Sequence, residues 1–159
     1  MSLEQAKSLL LTSASTIAVV SNGEVFTSQE RGVKPLLHLL TEKKGFLKGA
    51  SVADKVIGKA AALLMVLGEI KEVHTLIISE PAIKVFEKHN IPCFYDKKVE
   101  RIVNRTGDGL CPMETLCLDT VNLLRFYGGV FCGVRHVLVP FVFTFRLSFP
   151  AELPAYPTV

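Results

Sequence analysis

The stretch that decides the fold is residues 51–67, which read SVADKVIGKAAALLMVL. Nearly every position is apolar, and the pattern predicts one helix without a polar face, which is typical of a helix buried in a core. Two lysines, Lys55 and Lys59, lie four residues apart and would share one face of that helix. Because a buried lysine needs a partner, a route to solvent or a ligand, the segment predicts both a core element and a binding site.

The ends of this predicted helix have local signals. Ser51 and Asp54 match the spacing of a capping box, and Gly68 is expected to end the helix as a C′ glycine. Capping is the simpler interpretation of Asp54, although a ligand-binding role stays open. Lys55 would lie in the first turn, where the helix dipole disfavours a cation, and Gly58 would leave room for a ligand to approach closely.

The flanking segments alternate between helical and strand patterns. The sequence predicts a hairpin around Asn22-Gly23, because both residues of such a turn need positive φ. Helices are predicted over 3–12, 34–43, 81–89 and from 111 onward, and strands over 16–21, 24–27, 73–79 and 93–95. A helical turn is predicted over 99–104 and a loop over 105–109. This order predicts an α/β sandwich in which the later strands run parallel through right-handed crossovers.

Composition excludes several classes of function. A net charge of +3 in 159 residues, without a basic run, argues against nucleic-acid binding. The first residues show no charged and apolar leader, so a cytoplasmic protein is expected. The four cysteines, at 93, 111, 117 and 132, form no CxxC pair, so we expect no zinc knuckle. No cofactor is indicated, and an oligomer remains possible.

Four short motifs in order resemble one prokaryotic family of domains of unknown function. They are ERGVKPLL at 30–37, ADKVIGKAA at 53–61, NRTG at 104–107 and CPME at 111–114. The resemblance covers about residues 3–118 and implies a three-layer α/β/α sandwich with a fold similar to that of cytidine deaminase. It implies no established activity.

The comparison with deaminases predicts a site without zinc. A zinc nucleobase deaminase carries H-x-E at the start of one helix and P-C-x-x-C at the start of the next crossover helix. The corresponding segments are expected at 53–55 and 79–83, which contain no histidine or cysteine. We therefore expect no bound metal and no ordinary hydrolytic deamination.

Three groups of residues are candidates for a functional site. The first is Lys55 and Lys59 at the start of the predicted helix, where backbone N–H groups would help to hold a phosphate or carboxylate. Solvated or snorkelling lysines would explain the same pattern without a ligand. The second is Cys111, which would be activated as the N-cap of a helix, with Glu114 at N3 as a cap or a ligand contact. An inert buried thiol is the alternative.

The third group is Asn104 and Arg105 in a glycine-rich loop, where arginine suits an anion. A plain surface turn explains the same residues. Arg31 would add a further positive charge if the chain brings it to the same place. A site that combined these cations would suit a small anionic or nucleotide-like ligand.

The last forty residues differ from the body. Residues 120–159 contain six of the ten phenylalanines, no lysine and a single acid, Glu152. Arg135 interrupts the apolar run, which argues against a membrane helix. We therefore assign residues 1–118 to the deaminase-like domain and 119–159 to an apolar tail that is outside the resemblance, as an altered reading frame or a fused fragment would be.

These patterns support three hypotheses about function. The leading one is a domain that binds a small anionic or nucleotide-like ligand at Lys55 and Lys59. An enzyme of unassigned chemistry that uses Lys59 or Cys111 is the alternative. The third is a structural or interaction protein whose site has decayed. No nucleic acid and no membrane is expected as a partner.

Overall fold

The computed structural model describes residues 2–103, 107, 109–111 and 117. In these residues, nine helices and strands follow one another along the chain. They are α1 (Ser2–Thr12), β1 (Ile17–Ser21), β2 (Glu24–Ser28), α2 (Lys34–Glu42), β3 (Ser51–Ile57), α3 (Lys59–Leu67), β4 (Glu72–Ser79), α4 (Glu80–Lys88) and β5 (Cys93–Val99).

The five strands form one mixed sheet in the order β2-β1-β3-β4-β5. β1 runs antiparallel to both β2 and β3, whereas β3, β4 and β5 are parallel to one another. The predicted hairpin is confirmed, since Asn22 (φ 49°) and Gly23 (φ 85°) both have the positive φ that the turn requires.

Helices cover both faces of the sheet. On one face, Ala6 and Leu10 of α1 pack against Ala18, Val20 and Ala53. α3 and α4 each connect two parallel strands and pack against each other. Because such crossovers are right-handed, α3 and α4 lie on the same face, opposite α1. The predicted three-layer α/β/α architecture is confirmed.

The prediction of a single helix over residues 51–67 is wrong in its first half. Residues Ser51–Ile57 are the central strand β3, whose Val52 pairs with Val73 of β4, and the helix begins only at Lys59. Ser51 therefore caps nothing: its hydroxyl donates a hydrogen bond to Glu72 Oε1 at 2.6 Å and lies 2.7 Å from Ser2 Oγ.

Gly68 ends α3, but for a different reason from the one expected. Its φ is −74°, an ordinary helical value, and the neighbouring Glu69 takes the positive φ of 57°. A Cβ atom at Gly68 would lie 2.7 Å from Cβ and Cδ1 of the buried Leu47. Lack of space, and not backbone conformation, favours glycine at this position.

The chain after β5 also differs from the prediction. β5 extends to Val99, and Val103 forms an isolated antiparallel bridge with Leu110 where a helical turn was expected. The helix expected from residue 111 lies almost entirely outside the described residues. In the described part of the chain, no helix is both long and apolar enough to cross a membrane.

Candidate functional site

One edge of the sheet collects most of the predicted site residues. β2, β3, β4 and β5 all run in the same direction because β2 and β3 are both antiparallel to β1. Their carboxyl ends therefore meet at one edge, here called the carboxyl edge. The segments that lead into α2, α3 and α4 start there, and so does the segment after β5, in which Val103 and Leu110 form an isolated bridge. Arg31, Lys59 and Cys111 belong to these segments.

Thr16, just before β1, ties two of these segments together. Its carbonyl oxygen accepts a hydrogen bond from the backbone N–H of Lys55 at 3.0 Å, and its own N–H donates to Ser28 O at 2.8 Å. Its hydroxyl donates to the carbonyl oxygens of Ser28 and Glu30. The backbone of Glu30, the residue before the exposed Arg31, is therefore held close to the strand that carries Lys55.

The β3–α3 junction consists of a single residue between a strand and a helix. Gly58 is the N-cap of α3 in an extended conformation (φ −98°, ψ 176°), and its carbonyl oxygen accepts the N–H of Ala62 at 3.0 Å. The half-buried Lys59 is the first helical residue, and the six residues that follow it, Ala60–Met65, are all buried. A cation thus stands at the N-terminus of an otherwise apolar helix.

Lys55 and Lys59 do not share a helical face, which corrects the predicted arrangement. Lys55 is half-buried on β3 and lies on the same side of the sheet as Ala53, because side chains two apart on a strand point the same way. That side is covered by α1, whereas α3 with Lys59 lies on the other. The two lysines flank the sheet at the same edge.

Asp54 is a buried carboxyl group in the middle of the strand β3, three residues before its carboxyl end. It is 8 % exposed and neighbours Ile17 and Thr75 in the sheet. Burial raises the pKa of Asp54 from 3.8 to about 7, although the hydrogen bond from the Val56 N–H and the nearby Lys55 N–H partly oppose the shift. The Val56 N–H donates to Asp54 Oδ1 at 3.1 Å. Asp54 therefore lies in a strand, with a raised pKa, and does not cap a helix.

Cys111 lies at the far end of the same edge. Cys111 is half-buried, and its backbone N–H donates to Ile102 O at 3.0 Å, next to the Val103–Leu110 bridge. A cleft of about 430 Å³ is lined there by Glu100, Arg101, Val103 and Leu110. Asn104, Arg105 and Glu114 lie outside the described residues, so their predicted roles stay predictions.

The segment predicted to correspond to the first zinc motif, residues 53–55, lies in the strand β3 and not at the start of a helix. The two helices on either side of β3 are α2 and α3, and they begin with Lys34-Pro35 and Lys59-Ala60. Neither start contains histidine or cysteine. Among the described residues, no three His, Cys, Asp or Glu side chains form a group that could hold a metal ion. A zinc-free site stays a prediction.

Sequence reasoning missed Thr16 and underrated Asp54. The contacts of Thr16, through its backbone and its hydroxyl, depend on the strand order, for which its local sequence has no signal. The position of Asp54 in a strand could have been recognised from sequence. Val52, Val56 and Ile57 are β-branched and precede a glycine, a pattern typical of a strand end.

Comparisons with known proteins agree with this architecture. A family described as a domain of unknown function (DUF1893) matches residues 5–128. The crystal structure of a DUF1893 family protein (TM1506) from Thermotoga maritima is 26% identical, with a TM-score of 0.77 over 83% of this chain and 89% of that chain.

Two structures of RibD from Acinetobacter baumannii are more distant. Both are 13% identical, with TM-scores of 0.42 and 0.40 over 60% and 59% of this chain. The chain spans about a third of the RibD chains, 34% in each case. No curated protein sequence matches significantly. The family match covers most of the chain, and the chain belongs to the DUF1893 family of domains of unknown function.

Proposed function

We propose that the protein binds a small anionic or nucleotide-like ligand at the carboxyl edge, with Lys59 as the principal cation. The observation that carries this proposal is the β3–α3 junction. There, one glycine separates a buried strand from a buried helix, and the first helical residue is a lysine.

The position of Lys59 is unfavourable for the isolated helix. The N-terminus of a helix carries a partial positive charge, so a lysine there is repelled by roughly 0.3–1 kcal/mol. A bound anion reverses this effect, because the ammonium group and the backbone N–H groups of the first turn then act together. Gly58 supports the proposal because it has no side chain that would cover this end of α3.

Further positive charge lies along the same edge. The segment of Arg31 is held there by the hydrogen bonds of Thr16, and its guanidinium group suits a planar anion. Lys55 approaches from the other face of the sheet and would add long-range attraction. Asn104, Arg105 and Glu114 complete the proposed set as residues still to be tested.

Thermal-shift titration tests the proposal. Inorganic phosphate, pyrophosphate and a nucleoside monophosphate would be added to wild type, to Lys59→Met and to the control Lys48→Met. Lys48 is an exposed lysine, paired with Glu69 at 2.9 Å, in the connection before β3. A ligand at a hundred times its dissociation constant stabilises the folded state by about 2.7 kcal/mol.

We expect wild type and Lys48→Met to show the same saturable shift with at least one of these anions, and Lys59→Met to bind about tenfold more weakly, a loss of about 1.4 kcal/mol. No saturable shift in wild type, or equal affinity in all three proteins, would contradict the proposal.

Asp54 favours an enzyme as the second candidate. A buried carboxyl with a pKa near 7 gains or loses a proton readily at neutral pH, as a general acid or base must. Lys59 and Cys111 remain the proposed catalytic residues. Turnover of a bound ligand that Asp54→Asn abolishes while binding persists would favour this candidate. Binding without turnover would favour the first.

A further inference from the structure

β5 presents aromatic side chains on both faces of an edge strand. Among the described strands, β5 is the last of the sheet, and it pairs only with β4. Phe94 is 52% exposed and Tyr95 is 44% exposed. Because neighbouring residues of a strand point to opposite faces, these two rings flank the edge from both sides. A long edge strand with exposed apolar groups favours pairing with another strand.

The sequence of β5 divides into two complementary halves. Cys93-Phe94-Tyr95 is apolar and Lys97-Lys98-Val99 is mainly basic, with Asp96 between them. If two copies of β5 pair antiparallel around Asp96, Tyr95 lies opposite the partner's Lys97 and Phe94 lies opposite the partner's Lys98. Ammonium groups interact favourably with aromatic faces. The strand is thus complementary to itself in one register.

Asp96, the residue at the centre of the proposed pairing, is compatible with this register. Asp96 would face its own copy, and like charges directly opposite each other are unfavourable. However, Asp96 Oδ1 lies 3.3 Å from Nε2 of His74 on β4, so the carboxylate is directed back across the sheet and away from the outer edge. Lys98 is paired with Glu80 at 2.9 Å, but both side chains are about half exposed, and such pairs contribute little.

We infer that the protein forms a symmetric dimer in which β5 pairs antiparallel with β5 of a second copy around Asp96. The five described strands of each copy then continue across the dimer as one ten-stranded sheet. A single pair of strands buries less than a standard interface of about 1,600 Å², so we expect a weak dimer.

Sedimentation velocity of the full chain, from about 1 to about 100 μM, tests the dimer. Tyr95→Lys places two lysines opposite each other and should weaken association about tenfold. Val25→Lys is the matched control, because Val25 is also 44% exposed on an edge strand, β2, on the other side of the sheet. It should leave association unchanged. A monomer at every concentration, or equal effects of both variants, would overturn the inference.

Cysteine cross-linking tests the register independently. In the proposed pair, the Cα atoms of two Asp96 residues lie about 5 Å apart, within disulfide range. The two Lys98 Cα atoms lie about 14 Å apart, too far for a bridge. Under oxidation, Asp96→Cys should give a 96–96 disulfide found by peptide mapping, and Lys98→Cys should not. Equal cross-linking of both variants, or none with Asp96→Cys, would contradict the proposed pairing.

Discussion

Asp54 holds a carboxyl group inside the sheet, and its position determines when it carries a proton. The side chain accepts a hydrogen bond from the Val56 N–H, which favours the charged form. Burial has the larger, opposite effect and disfavours the charged form. A carboxyl whose pKa is higher in the folded than in the unfolded state stabilises the fold while it is protonated. That stability is fully present below the unfolded pKa of about 3.8, and it is lost as the pH rises to about 7.

Asp54→Asn should remove this pH dependence. Asparagine keeps the oxygen that accepts from Val56 but cannot ionise. At about pH 4 the variant and wild type should have similar free energies of unfolding. At about pH 8 the variant should be more stable, by up to about 4 kcal/mol if the whole shift is realised. Urea unfolding at both pH values measures the difference, and a constant difference between the proteins would contradict the assignment.

The strand β3 shows where sequence reasoning failed. A continuous apolar run fits a buried helix and a strand covered on both faces equally well, because neither produces an alternation. The hairpin at Asn22-Gly23 and the helices that begin with Lys34-Pro35 and Glu80-Pro81 were predictable, since each has a local turn or capping signal. β3 has none. Its conformation depends on pairing with β1 and β4.

The same limit applies to the candidate site. Lys59 could be identified from sequence, because a charge in an apolar segment is visible without a structure. The proximity of the Arg31 segment to Lys55 could not, since it requires β1 to lie between β2 and β3. The predicted i, i+4 relation of Lys55 and Lys59 failed because Gly58 changes the conformation from strand to helix.

Paired alanine substitutions test the strand assignment. Ile57 is fully buried, whereas the adjacent Val56 is 43% exposed. We expect Ile57→Ala to lower the free energy of unfolding by about 2–5 kcal/mol, because it leaves a cavity in the core. Val56→Ala should cost less than about 1 kcal/mol. Chemical denaturation of both variants measures the difference, and equal costs would contradict the different burial of these two residues at the end of β3.

At the scale of the whole molecule, the boundary of the domain remains a prediction. The sequence pattern places it at residue 118, and the family match extends to residue 128. We expect a shortened chain of residues 1–128 to unfold cooperatively and to be more soluble than the full chain, because it lacks most of the apolar tail. Thermal unfolding and solubility of the 1–118, 1–128 and full-length chains measure this. A 1–128 chain that is unfolded would show that the tail is required by the fold.

The central claim is that an anion binds at the carboxyl edge, and amide NMR of the isotope-labelled protein during a pyrophosphate titration tests it most directly. Lys43 and Lys44 provide an internal comparison, because these basic residues line a different cleft, of about 400 Å³, near the Asn22 turn at the opposite edge. We predict saturable shifts of the Gly58, Lys59 and Ala60 amides, and no comparable shifts at Lys43 and Lys44. Shifts confined to Lys43 and Lys44, or no saturable shift anywhere, would contradict the claim.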